Sequence, residues 1–134
     1  MSESWICRDG ETTEAAIDPV AVAARAARTE PFLKAVHGAR MVDGLTAEDL
    51  VLYLALGRLG VDASGRVLRL VPRTYLEITA FTGIPRETVR RKIGRLCDRG
   101  FARVGPRGVV LSDVETWVEM VETLFPTRLD GVSE

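Results

Sequence analysis

Apolar positions recur at helical intervals over five stretches of the chain, separated by glycine, proline and short polar runs. Residues 1–12 are polar, with Gly10 and no period, and are expected to be loosely ordered. Residues 13–28 form an Ala-rich helix candidate that Thr13 or Asp18 can cap, with Pro19 at an allowed first-turn position. Glu30 and Pro31 interrupt it, because the residue before proline is pushed out of the helical region. Residues 32–36 then read as a short turn or apolar tether. Residues 37–44, with Gly38 and Gly44, read as a connector.

The signals sharpen from Thr46. Thr46 and Asp49 have the spacing of a capping box, and Leu50, Val51, Leu54 and Leu59 follow at helical intervals with Tyr53 and Leu56 beside them. A helix over 46–59 ending near Gly60 is predicted. A turn at 62–65 and a short strand over 66–71 follow, the strand bounded by Gly65 and Pro72. Thr74 and Glu77 form a second capping box, opening a helix over 74–82 whose apolar residues are Leu76, Ile78 and Phe81. Gly83 suits the left-handed residue at its end, and Pro85 suits the first turn of the next helix, 85–99. Residues 101–104 and 109–112 flank Gly105-Pro-Arg-Gly108 and read as a hairpin. Ser112 and Glu115 make a third capping box. It opens a helix with Val114, Trp117, Val118, Val121, Leu124 and Phe125 as apolar residues, stopped by Pro126 before a frayed tail.

Two helices joined by a short glycine-containing turn make a helix-turn-helix, whose second helix enters the DNA major groove. Here the pair is 74–82 and 85–99. At 100° per residue, Val89, Ile93 and Leu96 share one stripe of the second helix, while Glu87, Arg91 and Arg95 point the opposite way. Arg90 and Lys92 flank the stripe. Arg86 and Thr88 lie in the first turn, where recognition helices meet base edges. Arginine makes bidentate contacts to guanine, and threonine reaches a phosphate or a thymine methyl.

The 134 residues have an ordinary globular composition, 46% hydrophobic and 28% charged, which fits one domain with a real core. The longest uncharged stretch in the helix at 46–59 is 8 residues, too short for a membrane span, and no secretory leader is apparent, so a cytoplasmic location is expected. A net charge of −1, taken as a whole, argues against nucleic acid. Resolved by position it does the reverse. Residues 85–108 carry +6, against −2 for 1–84 and −5 for 109–134. Seven of the eight basic residues in 85–108 are arginine, which suits planar phosphate and base recognition. Arg103 and Arg107 extend the basic patch onto the hairpin, Arg107 at its tip.

Other chemistry has little support. No CxxC, HxxxH, HExxH or glycine-rich nucleotide motif is present, so no metal, cofactor or enzymatic activity is expected. Cys7 and Cys97 are read as free thiols, though a disulfide between them is open, and Cys97 falls beside the buried stripe of its helix. His37 sits in the connector with no orienting carboxylate nearby. Trp117 and Phe125 are open to two readings, core or dimer packing and a ligand cage.

The stretch 77–104, EITAFTGIPRETVRRKIGRLCDRGFARV, resembles the winged helix-turn-helix core of bacterial transcription regulators, among them MarR-like and Crp-like proteins. The likeness covers about 40 residues directly, and extends further toward the N-terminus if 46–71 is included. It implies that Arg86, Thr88, Arg90 and Arg91 contact DNA and that Arg107 is a wing contact. Residues 112–134 leave less helix after the hairpin than a MarR-type protein has, and the first 45 residues match no such pattern.

The expected fold is therefore mainly α with a small antiparallel β-wing, a winged helix-turn-helix. Three units are expected: a helical arm at 1–45 used for dimerisation, a DNA-binding unit at 46–112, and a C-terminal helix and tail at 113–134. The expected site comprises Thr74, Arg86, Glu87, Thr88, Arg90, Arg91, Lys92, Arg95, Arg103 and Arg107. The expected activity is sequence-specific binding of double-stranded DNA by a homodimeric regulator, with any small-molecule effector left open. The alternative is a winged-helix adaptor that docks an acidic protein in a replication or chromosome-segregation assembly.

Overall fold

The computed structural model describes residues 17–65 and 67–127, with two short strands before them, β1 (Cys7–Arg8) and β2 (Glu11–Thr12). The protein is mainly helical, with small two-stranded antiparallel sheets. Six helices occur among the described residues: α1 (Pro19–Ala27), α2 (Glu30–Asp43), α3 (Ala47–Gly60), α4 (Tyr75–Thr82), α5 (Arg86–Asp98) and α6 (Val114–Leu124). The remaining strands are β3 (Val61–Asp62), β4 (Arg69–Leu70), β5 (Ala102–Gly105) and β6 (Gly108–Leu111). The expected loose start at 1–12 contains the β1–β2 pair, too short to give a sequence period.

α3 is the centre. α2, α4, α5, α6 and β6 all pack on it. Its buried residues run nearly around the helix: Leu50, Leu52, Tyr53, Ala55, Leu56, Gly57 and Gly60. Val51, expected in the core, is exposed, and Leu54 and Leu59 are half-buried. A helix covered on most sides has no single stripe for a periodicity to find. The Thr46–Asp49 capping box is formed, each residue's side chain accepting from the other's backbone N–H. Gly57 is where α6 comes closest. A Cβ there would stand 1.9 Å from the Trp117 ring, and Trp117 Nε1 donates to the Tyr53 carbonyl at 3.0 Å. Trp117 is thus a packing residue of the α3–α6 contact, while Phe125 pairs with Phe32, 5.5 Å between ring centres. Together they form no cage.

The N-terminal region departs most from expectation. Asp18 caps α1, accepting from Val20 N–H at 3.2 Å, and the alternative cap Thr13 lies outside the described residues. Glu30 and Pro31 do not interrupt a helix; they begin one, with the proline in the first turn, where its missing N–H costs nothing. The stretch expected as a turn and a connector, 32–44, continues that helix to Asp43. Gly38 weakens it by about 1 kcal/mol relative to alanine. Burial of Ala39 and packing of Val36 against the core outweigh that. The helix ends at Gly44 in the left-handed region (φ 70°), whose N–H donates to Arg40 O at 3.1 Å. His37 is accordingly an exposed helix residue. Ala39 and Leu45 join the same core as α3, α4 and α5.

Two further corrections are local. The strand expected over 66–71 shrinks to β4, which pairs with β3. Asp113, not Ser112, caps α6, accepting from Glu115 N–H at 3.0 Å and from the Thr116 hydroxyl at 2.7 Å. Leu76, Phe81, Val118 and Phe125, read as apolar packing positions, are exposed. Cys97 is a half-buried free thiol, its pKa raised by burial and then by Asp98.

Candidate nucleic-acid interface

The site begins with α4. Thr74 Oγ1 accepts from Glu77 N–H at 3.1 Å and Glu77 Oε1 accepts from Thr74 N–H at 2.9 Å, so the first turn is capped from both sides. These hydrogen bonds, the Thr74 backbone bond first, hold the Glu77 carboxyl below its ordinary range. α4 ends at Gly83, at φ 79°, where its N–H donates to Thr79 O at 2.8 Å. Thr82 completes the turn, its hydroxyl donating to Ile78 O and accepting from Ile84 N–H. Ile84 is buried, which fixes α5 against α4. Pro85 stands at the N-cap of α5 rather than inside its first turn.

α5 buries Val89, Ile93 and Leu96, the stripe expected from the sequence. Arg86, Glu87, Arg90 and Arg91 are exposed, and Thr88 is half-buried. Glu87 accepts a hydrogen bond from Arg90 Nη2 within that exposed row. This contact lowers the Glu87 pKa and raises that of Arg90. The pair reduces the free positive charge of the face by one.

Two members of the expected site are elsewhere. Arg95, expected to point outward with Arg91, donates from Nη2 to Asp49 Oδ2 at 3.1 Å and to the Gly44 carbonyl at 3.2 Å. Lys92, only 13% exposed, lies 3.7 Å from Asp49 Oδ1 and 3.8 Å from Glu48 Oε1. Asp49 is wholly buried. Desolvation pushes its pKa up. The Thr46 backbone N–H, Arg95, the Thr46 hydroxyl and Lys92 together outweigh that, leaving a net lowering. Lys92 and Arg95 therefore tie α5 to the start of α3. Asp49 reads in the sequence only as a capping residue. Nothing local marks it as the partner of a residue 46 positions away.

The expected hairpin is formed, with Ala102 opposite Leu111 through Gly105 opposite Gly108. Arg73 adds a bridge to Val109, its N–H donating at 3.0 Å and its carbonyl accepting at 2.8 Å. Gly108 makes this approach possible: its φ is 137°, and a Cβ would stand 2.4 Å from the Arg73 carbonyl oxygen. Arg73 Nε donates to Leu59 O at 2.9 Å, anchoring the hairpin to the end of α3. Sequence reasoning missed Arg73, since one arginine between proline and threonine carries no pattern.

Between the start of α4, the start of α5 and the hairpin tip lies a groove of about 370 Å³. Thr74, Arg86 and Arg107, far apart in the chain, line it together with Tyr75, Leu76 and Val104. Arg103 is exposed on β5. The groove is concave and partly apolar, with two arginines in its lining, an arrangement able to hold an anionic strand by charge while contacting its less polar parts. Among the described residues no cluster of three or more metal-ligating side chains occurs, and no helix is long and apolar enough to cross a membrane. No protein-family model and no curated protein matches the chain.

Proposed function

We propose that the chain is a winged helix-turn-helix protein that binds double-stranded DNA in a sequence-specific way and regulates transcription in the cytoplasm. The observation that carries this reading is the shared groove: Arg86 at the start of α5 and Arg107 at the hairpin tip border one concavity. α5 lies with Val89, Ile93 and Leu96 inward and Arg86, Arg90 and Arg91 outward. At 13 residues it is about 20 Å long, a length that fits the major groove. In this reading Arg86, Thr88 and Arg91 face base edges, while Arg103, Arg107 and Thr74 approach phosphates. Arg90 contributes less charge than its exposure suggests, because Glu87 is already paired with it. Lys92 and Arg95 position α5 and touch no DNA.

The protein acts as a homodimer. α1 buries no residue, and Val20, Leu33 and Met41 are exposed along α1 and α2, apolar surface that a second copy would cover. Light scattering at micromolar concentration tests this, and a monomer removes it. The DNA reading is tested by selecting sequences from a random duplex pool and titrating salt. Enrichment of a motif, with affinity falling steeply against log salt, is expected. The adaptor reading draws on Leu76, Phe81 and Val104, exposed apolar side chains on α4 and the hairpin. No enriched motif and a shallow salt slope would favour it.

A further inference from the structure

The groove between α4, α5 and the hairpin carries apolar surface that phosphate contact does not use. Leu76, in the first turn of α4, is 61% exposed, and Val104, on β5, is 54% exposed. Both line the groove, as does half-buried Tyr75. Arg86 and Arg107 supply its charge, and among the described residues no acidic side chain lines it. Glu77 and Glu87 adjoin lining residues in the chain, yet each is engaged elsewhere. Glu77 accepts from the Thr74 N–H at 2.9 Å and lies 3.6 Å from Arg73, and Glu87 is paired with Arg90. Neither arginine of the groove has an ion-pair partner among the described residues. Two uncompensated positive charges in an apolar lining are the complement of an anion with apolar parts.

A DNA strand has that character, because it alternates charged phosphates with sugars whose carbon faces are apolar. Base edges are polar apart from the thymine methyl, and the outward row of α5 is already directed at them. The start of α4 and the hairpin tip stand beside the start of α5. A helix lying in the major groove is bordered there by walls of sugar and phosphate. The apolar pair therefore meets a sugar. In deoxyribose the C2′ carbon carries only hydrogen, whereas in ribose it carries a hydroxyl that donates and accepts. A hydroxyl pressed against Leu76 and Val104 loses water and gains no hydrogen bond from either side chain, which is costly.

We propose that Leu76 and Val104 are specificity-determining residues that select a 2′-deoxy sugar in the bound strand. Arg86 and Arg107 hold the strand by charge, and the apolar pair closes on the sugar. This rests on the DNA reading above and adds to it a discrimination made at the sugar rather than at the base.

The test is fluorescence anisotropy of the full chain at fixed salt, with a duplex of about two helical turns carrying the motif enriched by selection. Single ribonucleotides are scanned along each strand. Single 2′-fluoro sugars keep the ribose pucker without the hydroxyl, and uracil in place of single thymines removes the methyl. One or two ribose positions are expected to weaken binding by about fivefold or more, with 2′-fluoro there costing about twofold or less. Leu76→Ser and Val104→Thr each offer a hydroxyl as partner and should cut the ribose penalty to about twofold or less. Both positions are exposed, so both variants are expected to keep a thermal midpoint close to wild type. Any uracil penalty is expected to be the same in variants and wild type. A flat ribose scan on a duplex that binds, an equal loss with 2′-fluoro, or a ribose penalty unaltered in both variants would overturn the sugar assignment and leave the DNA reading standing. A uracil penalty that vanishes in the variants would move the apolar pair to a thymine methyl and overturn it too. Failure of every duplex to bind would remove the DNA reading and this inference together.

Discussion

In α5 the large apolar residues Val89, Ile93 and Leu96 are buried, and its exposed surface is carried by Arg86, Glu87, Arg90 and Arg91. In α1 nothing is buried, and Val20, 74% exposed, faces solvent. Both are amphipathic short helices, yet they are held in different ways. α5 is fixed by apolar contacts with α3 and α4, by strand β5 at its end and by Lys92 and Arg95 on Asp49. α1 has its Asp18 cap and its own backbone hydrogen bonds, which leave an isolated nine-residue helix marginal in water. The contrast teaches that a charged outer face can be displayed rigidly only where the inner face is fully anchored. Exposed apolar residues, conversely, mark the part of the fold that its own chain leaves uncovered.

The largest expected effect breaks the anchor. Ile93→Ala should cost about 3 kcal/mol in urea unfolding, the usual loss for truncating a fully buried isoleucine. A loss below about 1 kcal/mol would mean that the stripe of α5 is not what holds it. Next, Asp49→Ala should cost about 2–3 kcal/mol, because it strands Lys92 and Arg95 and removes one side of the α3 cap. The same residue sets a pH dependence. The folded Asp49 pKa is lowered, so its contribution is complete above the ordinary carboxylate range and is lost as pH falls through that range toward the folded value. Wild-type stability should therefore fall more steeply on acidification than that of Asp49→Ala; parallel curves would show that Asp49 does not carry this slope.

Two smaller effects sharpen the comparison. Arg91→Ala should weaken specific DNA binding by about 1–3 kcal/mol with little change in stability, whereas Arg95→Ala should act mainly on stability. Equal losses on specific and random duplexes would reduce Arg91 to a phosphate contact. Smallest of all, Val20→Ala should change monomer stability by less than about 0.5 kcal/mol, as for a surface position. A larger loss in dilute monomer would show that α1 is anchored after all.

The part of the chain from Thr46 to Leu111 is the more legible. Capping pairs at Thr46–Asp49 and Thr74–Glu77, the left-handed Gly83, the stripe of α5 and the glycines around Pro106 and Arg107 are local signals, and each describes a contact within a few residues. The N-terminal half failed for the same reason. Pro31 and Gly38 locally argue against helix, and what overrides them is packing of Val36 and Ala39 against residues distant in the chain. Leu76 and Phe81 are exposed against expectation, because hydrophobicity at helical spacing does not say which faces a small helix will have covered.

The amino-acid sequence by itself determined where most helices of residues 46–125 start and stop, which face of α5 is apolar, and that one segment of a near-neutral chain carries +6. These follow from local hydrogen bonding, rotational period and charge count. Only the tertiary structure decided which charges remain exposed. Arg91 and Arg95 lie one turn apart on the same helix, and one faces solvent while the other is spent on Asp49. Tertiary structure likewise brought Thr74, Arg86 and Arg107 to one groove and left the buried Tyr53 hydroxyl without a hydrogen-bond partner among the described residues. The physical reason is the same in each case: a side chain's partners are set by which elements pack together, and no spacing within one element encodes that.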